Sequence, residues 1–167
     1  TLAIIMNGVT QRVGLDSYFN VKNSTGSSIP KGTAVRFAGT DGNIGNLLIS
    51  PMLDDGTYPS VYYMGVTAEA IDNGQFGKVM SLGKLRTNTN AYNDGDILYV
   101  SSTVAGGFQT TAPLAPNNII VAAAVVNAAN NGVLEVRATL GSNINNDEGV
   151  KITTPLTGQL LQLQSNG

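Results

Sequence analysis

Asp94-Gly95-Asp96, with Asn88, Asn90 and Asn93 just upstream, is the densest group of oxygen ligands in the sequence, and a Ca²⁺ loop uses such groups. The EF-hand spacing and its closing Glu are missing, and a turn entering the apolar run at Ile97 explains the same residues. No metal and no cofactor is expected. A second candidate chemistry is glycoside hydrolysis by two acids drawn from Asp54, Asp55, Glu69 and Asp72, which would have to stand about 5–10 Å apart across a cleft. Turn formation is the simpler use for each of them. Gly39, Gly42 and Gly45 are spaced somewhat like a phosphate-cradling loop, but no Gly-Lys-Ser/Thr follows and no helix begins there, so a loop between strands is expected. Asn23-Ser24-Thr25 fits the N-glycosylation pattern, which matters only in a eukaryotic secretory pathway, and nothing else in the sequence suggests one. Among the tyrosines, Tyr58, Tyr62, Tyr63 and Tyr92 are the candidate glycan contacts, because rings stack on apolar sugar faces; plain core or rim packing is the alternative.

Composition narrows these choices. The 167 residues include no His, no Cys and no Trp, so the most common general base and the thiol nucleophile are absent. Catalysis would have to run on Asp, Glu, Lys, Ser and Tyr, and the expectation is a binding or structural protein without enzymatic activity. Charged residues make up 12% of the chain with a net charge of -2, against about 25% charged in ordinary globular proteins. Its surface must be covered by Asn, Ser, Thr, Gln and Gly, which suits packing against copies of itself, where burying charge is costly. In the linear sequence the nine Lys and Arg form no basic stripe, so nucleic acid is not expected as a partner. No apolar run approaches the roughly 20 residues of a membrane helix, and membrane insertion is not expected.

The elements that must position these residues are strands. Runs rich in Val, Ile, Tyr, Phe and Thr fall at residues 2–6, 18–22, 33–38, 47–52, 61–68, 77–82, 97–101, 119–126 and 132–138, separated by Gly, Asn, Asp or Pro. Turn chemistry marks the gaps, with Gly26, Pro30, Gly32, Gly74, Gly95 and Gly132 the structural turn residues. The fold class this predicts is all-β: a compact antiparallel β-barrel or sandwich module with extended N- and C-terminal strands. Residues 119–126 (IIVAAAVV) are apolar on both faces, which predicts a strand at the centre of the core with both sides covered. In Val133-Leu134-Glu135-Val136-Arg137, Leu134 and Val136 share one face, giving a half-exposed strand. The expected organisation is an N-terminal extended strand or connector (1–17), the β-module (18–140), and a linker with the start of a shaft or next module (141–167). Both ends stop in half-finished patterns, so the chain is expected to be a piece of something longer. A lone strand at either end would be an exposed edge, whose partners are expected from missing residues or other subunits.

These residues resemble a known family, the β-rich modules of tailed-bacteriophage fibre and decoration proteins. The resemblance rests on the stretch at residues 21–35 (VKNSTGSSIPKGTAV), which looks like the fibre pattern of a strand, an Asn-x-Thr-Gly turn and then Ile-Pro-x-Gly-Thr-x-Val. It continues through Tyr63-Met64-Gly65-Val66, Ile71-Asp72-Asn73-Gly74, Gly83-Lys84-Leu85, Gly95-Asp96-Ile97-Leu98-Tyr99-Val100 and Val104-Ala105-Gly106-Gly107, in the order those modules show, and covers residues 18–140. The segment 152–167 looks like the connector between fibre modules, without the Trp-containing continuation that usually follows. The resemblance implies a virion structural protein on the tail fibre or capsid surface, typically a homotrimer, with other tail or capsid proteins as partners and no catalysis. A head fibre or decoration protein, and a module that recognises host surface glycan, are the alternatives.

Overall fold

The alternating runs become strands in the computed structural model, which describes residues 2–6, 8–42, 45–114, 117 and 119–141. In chain order these are β1 (Ala3–Met6), β2 (Val9–Arg12), β3 (Ser17–Asn23), β4 (Ala34–Asp41), β5 (Asn46–Pro51), β6 (Tyr63–Thr67), β7 (Phe76–Thr87), β8 (Ile97–Val100), β9 (Phe108–Gln109), β10 (Ile119–Asn127) and β11 (Gly132–Gly141). A 3₁₀ turn at Ser60–Tyr62 leads into β6. With 53% of the described residues in strands and no α-helix among them, the all-β class read from the sequence holds.

Five strands close on themselves in the order β3-β5-β4-β6-β7, because β7 pairs back onto β3 through Tyr18↔Met80 and Val21↔Gly77. One contact, β3 with β5, is parallel; the other four are antiparallel. Closure leaves these strands without free edges. The barrel is filled by Val21, Ile29, Val35, Ile49, Ile71 and Val79, all buried, and each such side chain contributes about 1.5–3 kcal/mol of transfer free energy.

Strand β7 outlasts the barrel. Beyond Leu82 it pairs with β11, which carries β10, β8 and β9 outward as an extension. The sequence pattern suggests a strand ending at Leu82, since glycine at 83 reads as a break. Instead the chain stays extended through Gly83 (φ 128), where a Cβ would collide with the Asp16 carboxylate. The glycine makes room for Asp16 and does not end the strand.

The extension folds over the barrel wall and creates two further apolar clusters. One gathers Val66, Met80, Leu85, Leu98, Ala123, Val125, Leu134 and Val136, and the other Ala34, Met52, Tyr63, Val100, Ile120 and Ala122. A register shift in β10 between Val121 and Ala123 explains the long apolar run. The bulge lets neighbouring Ala122 and Ala123 both point inward, each to a different cluster. The outer face is less covered than expected: Val121 and Ala124 are half-buried and Val126 is exposed. Leu134 and Val136 are buried and Arg137 is exposed, as their alternation predicts.

At the N-terminus the expected connector is a hairpin. β1 pairs with β2 through Ile4↔Gln11 and Ile5↔Thr10, so this strand takes its partner from its own chain. Val9 joins the cluster around Met80 and Leu134, and Asp16 is buried, which ties residues 9–16 to the module. The hairpin is otherwise largely uncovered: Leu2 is 71% and Ile5 74% exposed, Ile4, Val13 and Leu15 are exposed as well, and Ile4 and Ile5 lie on opposite faces of β1. Of the expected linker and shaft start at 141–167, Gly141 ends β11 and the rest, with its Leu/Gln stretch, lies outside the described residues.

Candidate functional site

Three of the stretches that carry the resemblance, at 21–35, 71–74 and 104–107, lie apart in sequence and meet at one corner of the barrel. Asn23, fully buried at the end of β3, donates from Nδ2 to the carbonyls of Ser27 and Ile71, each at 2.7 Å. Its Oδ1 accepts from the Thr25 amide at 3.0 Å and the Thr25 hydroxyl at 2.8 Å, forming an Asx turn. The second turn docks in return: Gly26 N–H donates to Asn73 Oδ1 (2.8 Å), Gly74 N–H to the Asn23 carbonyl (2.7 Å), and Ile29 and Ile71 bridge as an antiparallel pair. The Pro30 carbonyl accepts from the hydroxyls of Thr33 and Thr67 at 2.7 Å each. A third motif closes the corner, as Gly106 accepts from the Ala34 amide and donates to the Met52 carbonyl. With its side chain fully engaged and buried, Asn23 of the glycosylation pattern is a structural residue in the folded chain.

The turn residues divide by mechanism. Gly26, Gly32, Gly74 and Gly95 have φ of 80–89°, the left-handed region that a side chain penalises. Gly132 does not. It begins β11 with ordinary extended backbone, and glycine is required there because a Cβ would collide with Thr89 Oγ1 and the Asn127 carbonyl.

The tyrosines do not form one surface. Tyr63 is buried against Met52, Val100 and Ile120, and burial pushes its hydroxyl pKa up, so it is core and not a sugar contact. Tyr92 packs beside Leu98 and Leu134 in the turn before β8. Tyr58 is stacked by the Arg36 guanidinium at 3.5 Å from the ring centre, and Tyr62 packs edge-on against Phe37 at 6.3 Å. Arg36 and Phe37 are consecutive on β4 and point to opposite faces, and Tyr58 also packs against the cluster that holds Tyr63.

Two of the four candidate acids, Asp55 and Glu69, accept hydrogen bonds from backbone amides. Asp54 is fully buried, Asp55 accepts from the Thr57 amide at 2.9 Å, and Glu69 accepts from the Lys78 amide at 3.0 Å. The Thr57 hydrogen bonds hold the Asp55 carboxyl below the usual range, the opposite of what a general acid needs. In the Asp94–Asp96 loop the oxygens serve the turn: Asp94 accepts from Ala128 N–H, Asp96 from Asn93 N–H, and Asn88 from Asn90 N–H. Among the described residues no group of three or more acids gathers to hold a metal ion.

The topology does assemble one feature with no trace in the linear sequence. A cleft of about 470 Å³ between the N-terminal hairpin and β7 is lined by Arg12, Lys31, Lys84 and Arg86 over an apolar floor that includes Val9, Ala68 and Leu85. Arg12 clasps Asp16 with Nη2–Oδ1 at 2.7 Å and Nε–Oδ2 at 3.0 Å. Burial alone would raise the Asp16 pKa, but the hydrogen bonds from the Arg12 side chain and amide outweigh it and hold the carboxyl below the usual range. Tyr18 lines the same cleft with its hydroxyl on the Thr10 carbonyl at 3.2 Å, and its pKa is pushed up to about 12, first by burial and then by Asp16. Four cations at positions this far apart give no local pattern, so only the fold reveals them. No family model matches this chain, and no curated protein matches it.

Proposed function

We propose that this chain is a structural module of a bacteriophage virion, part of a homotrimeric tail fibre that serves attachment or assembly without catalysis. The observation that carries the reading is the corner built by Asn23–Gly26, Ile71–Gly74 and Gly106. Asn23–Gly26 and Ile71–Gly74, two of the stretches singled out in the sequence, hydrogen-bond to each other, and Gly106 bonds Ala34 of the 21–35 stretch. A pattern whose parts are mutually dependent is a fold signature and not a set of chance turns. Association with copies of itself is supported by the exposed large apolar residues at the N-terminal hairpin and the turn after it, Leu2, Ile4, Ile5, Val13 and Leu15. Low charge points the same way.

The test is electron microscopy of particles of a phage encoding this chain, labelled with gold-conjugated Fab raised against it. Label along the tail fibres supports the proposal. Label on the head moves the chain to a head fibre or decoration protein, and absence of label on intact and disrupted particles removes the virion reading.

A further inference from the structure

We infer that the cleft between the N-terminal hairpin and β7 is a binding site for an acidic sugar unit, one that carries a carboxylate or a phosphate. Four of the chain's nine Lys and Arg line it, against one of its eleven acids. That acid, Asp16, is neutralised by Arg12. Among the described residues Lys31, Lys84 and Arg86 have no ion-pair partner; the acid closest in register is Glu135, cross-strand from Lys84 on β11 and half-buried. In a chain that is net negative, this is a local reversal of sign inside a concavity, where low-dielectric walls concentrate the field.

Shape and lining narrow the ligand. The volume of about 470 Å³ lies at the small-molecule end of binding clefts, which suits a disaccharide or less. Cations stand at the rim while Val9, Ala68 and Leu85 form an apolar floor beside the half-buried Tyr18 ring. An acidic sugar offers the complement: an apolar ring face for the floor, and an anionic group for Lys84 and Arg86, where a guanidinium can bind both oxygens at once. A nucleic-acid strand would instead need cations continuing along a track beyond one cleft. The residues that line the cleft all come from one copy.

The experiment is a ¹⁵N-amide NMR titration of the full chain with glucuronate, glucose 6-phosphate, glucose and inorganic phosphate at low ionic strength. Saturable shifts for the two charged sugars at Thr10, Lys84 and Arg86, with little response to glucose, are expected. The exposed-side variant Lys84→Gln/Arg86→Gln should keep the spectrum of the folded chain and weaken charged-sugar binding at least tenfold, and Lys31→Gln should weaken it less. Equal affinity for inorganic phosphate and charged sugars would overturn the sugar assignment. Lack of saturable shifts in the cleft, or unchanged binding by the double variant, would overturn the site itself.

Discussion

Replacing Asn23 by Ala tests whether the corner holds the module together. The change removes two donations to backbone carbonyls and the acceptor that fixes the Thr25 turn. The acceptor serves both the Thr25 amide and its hydroxyl, so four bonds at about 1 kcal/mol each are lost, roughly 3–5 kcal/mol in all, while the Ile71 carbonyl keeps the Ile29 amide as a donor. For a domain of this size that corresponds to a melting temperature lower by roughly 8–15 °C. Far-UV circular dichroism melts at one fixed protein concentration measure it. Asn23→Asp is the sharper variant, because it is isosteric and sets a carboxylate against the Ser27 and Ile71 carbonyl oxygens. The folded state would then favour the protonated acid, raising its pKa above the unfolded value of about 3.9. A raised folded pKa means that the deficit relative to wild type is smallest below about pH 4 and grows as pH rises through the folded pKa. An Asn23→Ala melting temperature within about 2 °C of wild type, or an Asn23→Asp deficit independent of pH, would refute the reasoning.

Two glycines separate conformation from contact. Gly95→Asn, at a left-handed position that Asn tolerates, should cost under about 1 kcal/mol, whereas Gly95→Val should cost clearly more. Gly132→Ala, where the added methyl meets Thr89 Oγ1 and the Asn127 carbonyl, should cost about 2 kcal/mol or more by urea unfolding; a neutral result would disprove the contact. For the Arg12–Asp16 clasp, the folded pKa of Asp16 is depressed, so its stabilisation is present above about pH 4 and is lost as pH falls through the folded pKa. Asp16→Asn should therefore melt lower at neutral pH and show a flatter decline between about pH 4 and pH 2 than wild type; parallel curves would mean that the clasp contributes nothing.

Strand runs and turns were readable because Val, Ile and Tyr alternate with turn residues at strand spacing, and the structure keeps nearly all of them. What was not readable has physical causes. Val9-Thr10-Gln11-Arg12 carries one apolar residue, so β2 gives no strand signal and the N-terminal strand looked unpaired. Phe108 and Gln109 make a strand too short to register. The second half of β7 was hidden by Gly83, whose absent side chain accommodates Asp16. Tyr62 and Tyr63, read together as ring surface, enter β6 on opposite sides, one 42% exposed and the other 8%. The basic cleft was invisible because Arg12, Lys31 and the Lys84/Arg86 pair come from separate elements that only the barrel brings together.

The central claim, that this chain works as a trimeric projection, is tested most directly by its mass in solution. Light scattering on the size-separated chain should give three times the 17.3 kDa of one copy, and replacing the exposed Ile4 and Ile5, one on each face of β1, with Asp should weaken or abolish the trimer. A monomer at all accessible concentrations, indifferent to those substitutions, would contradict the account.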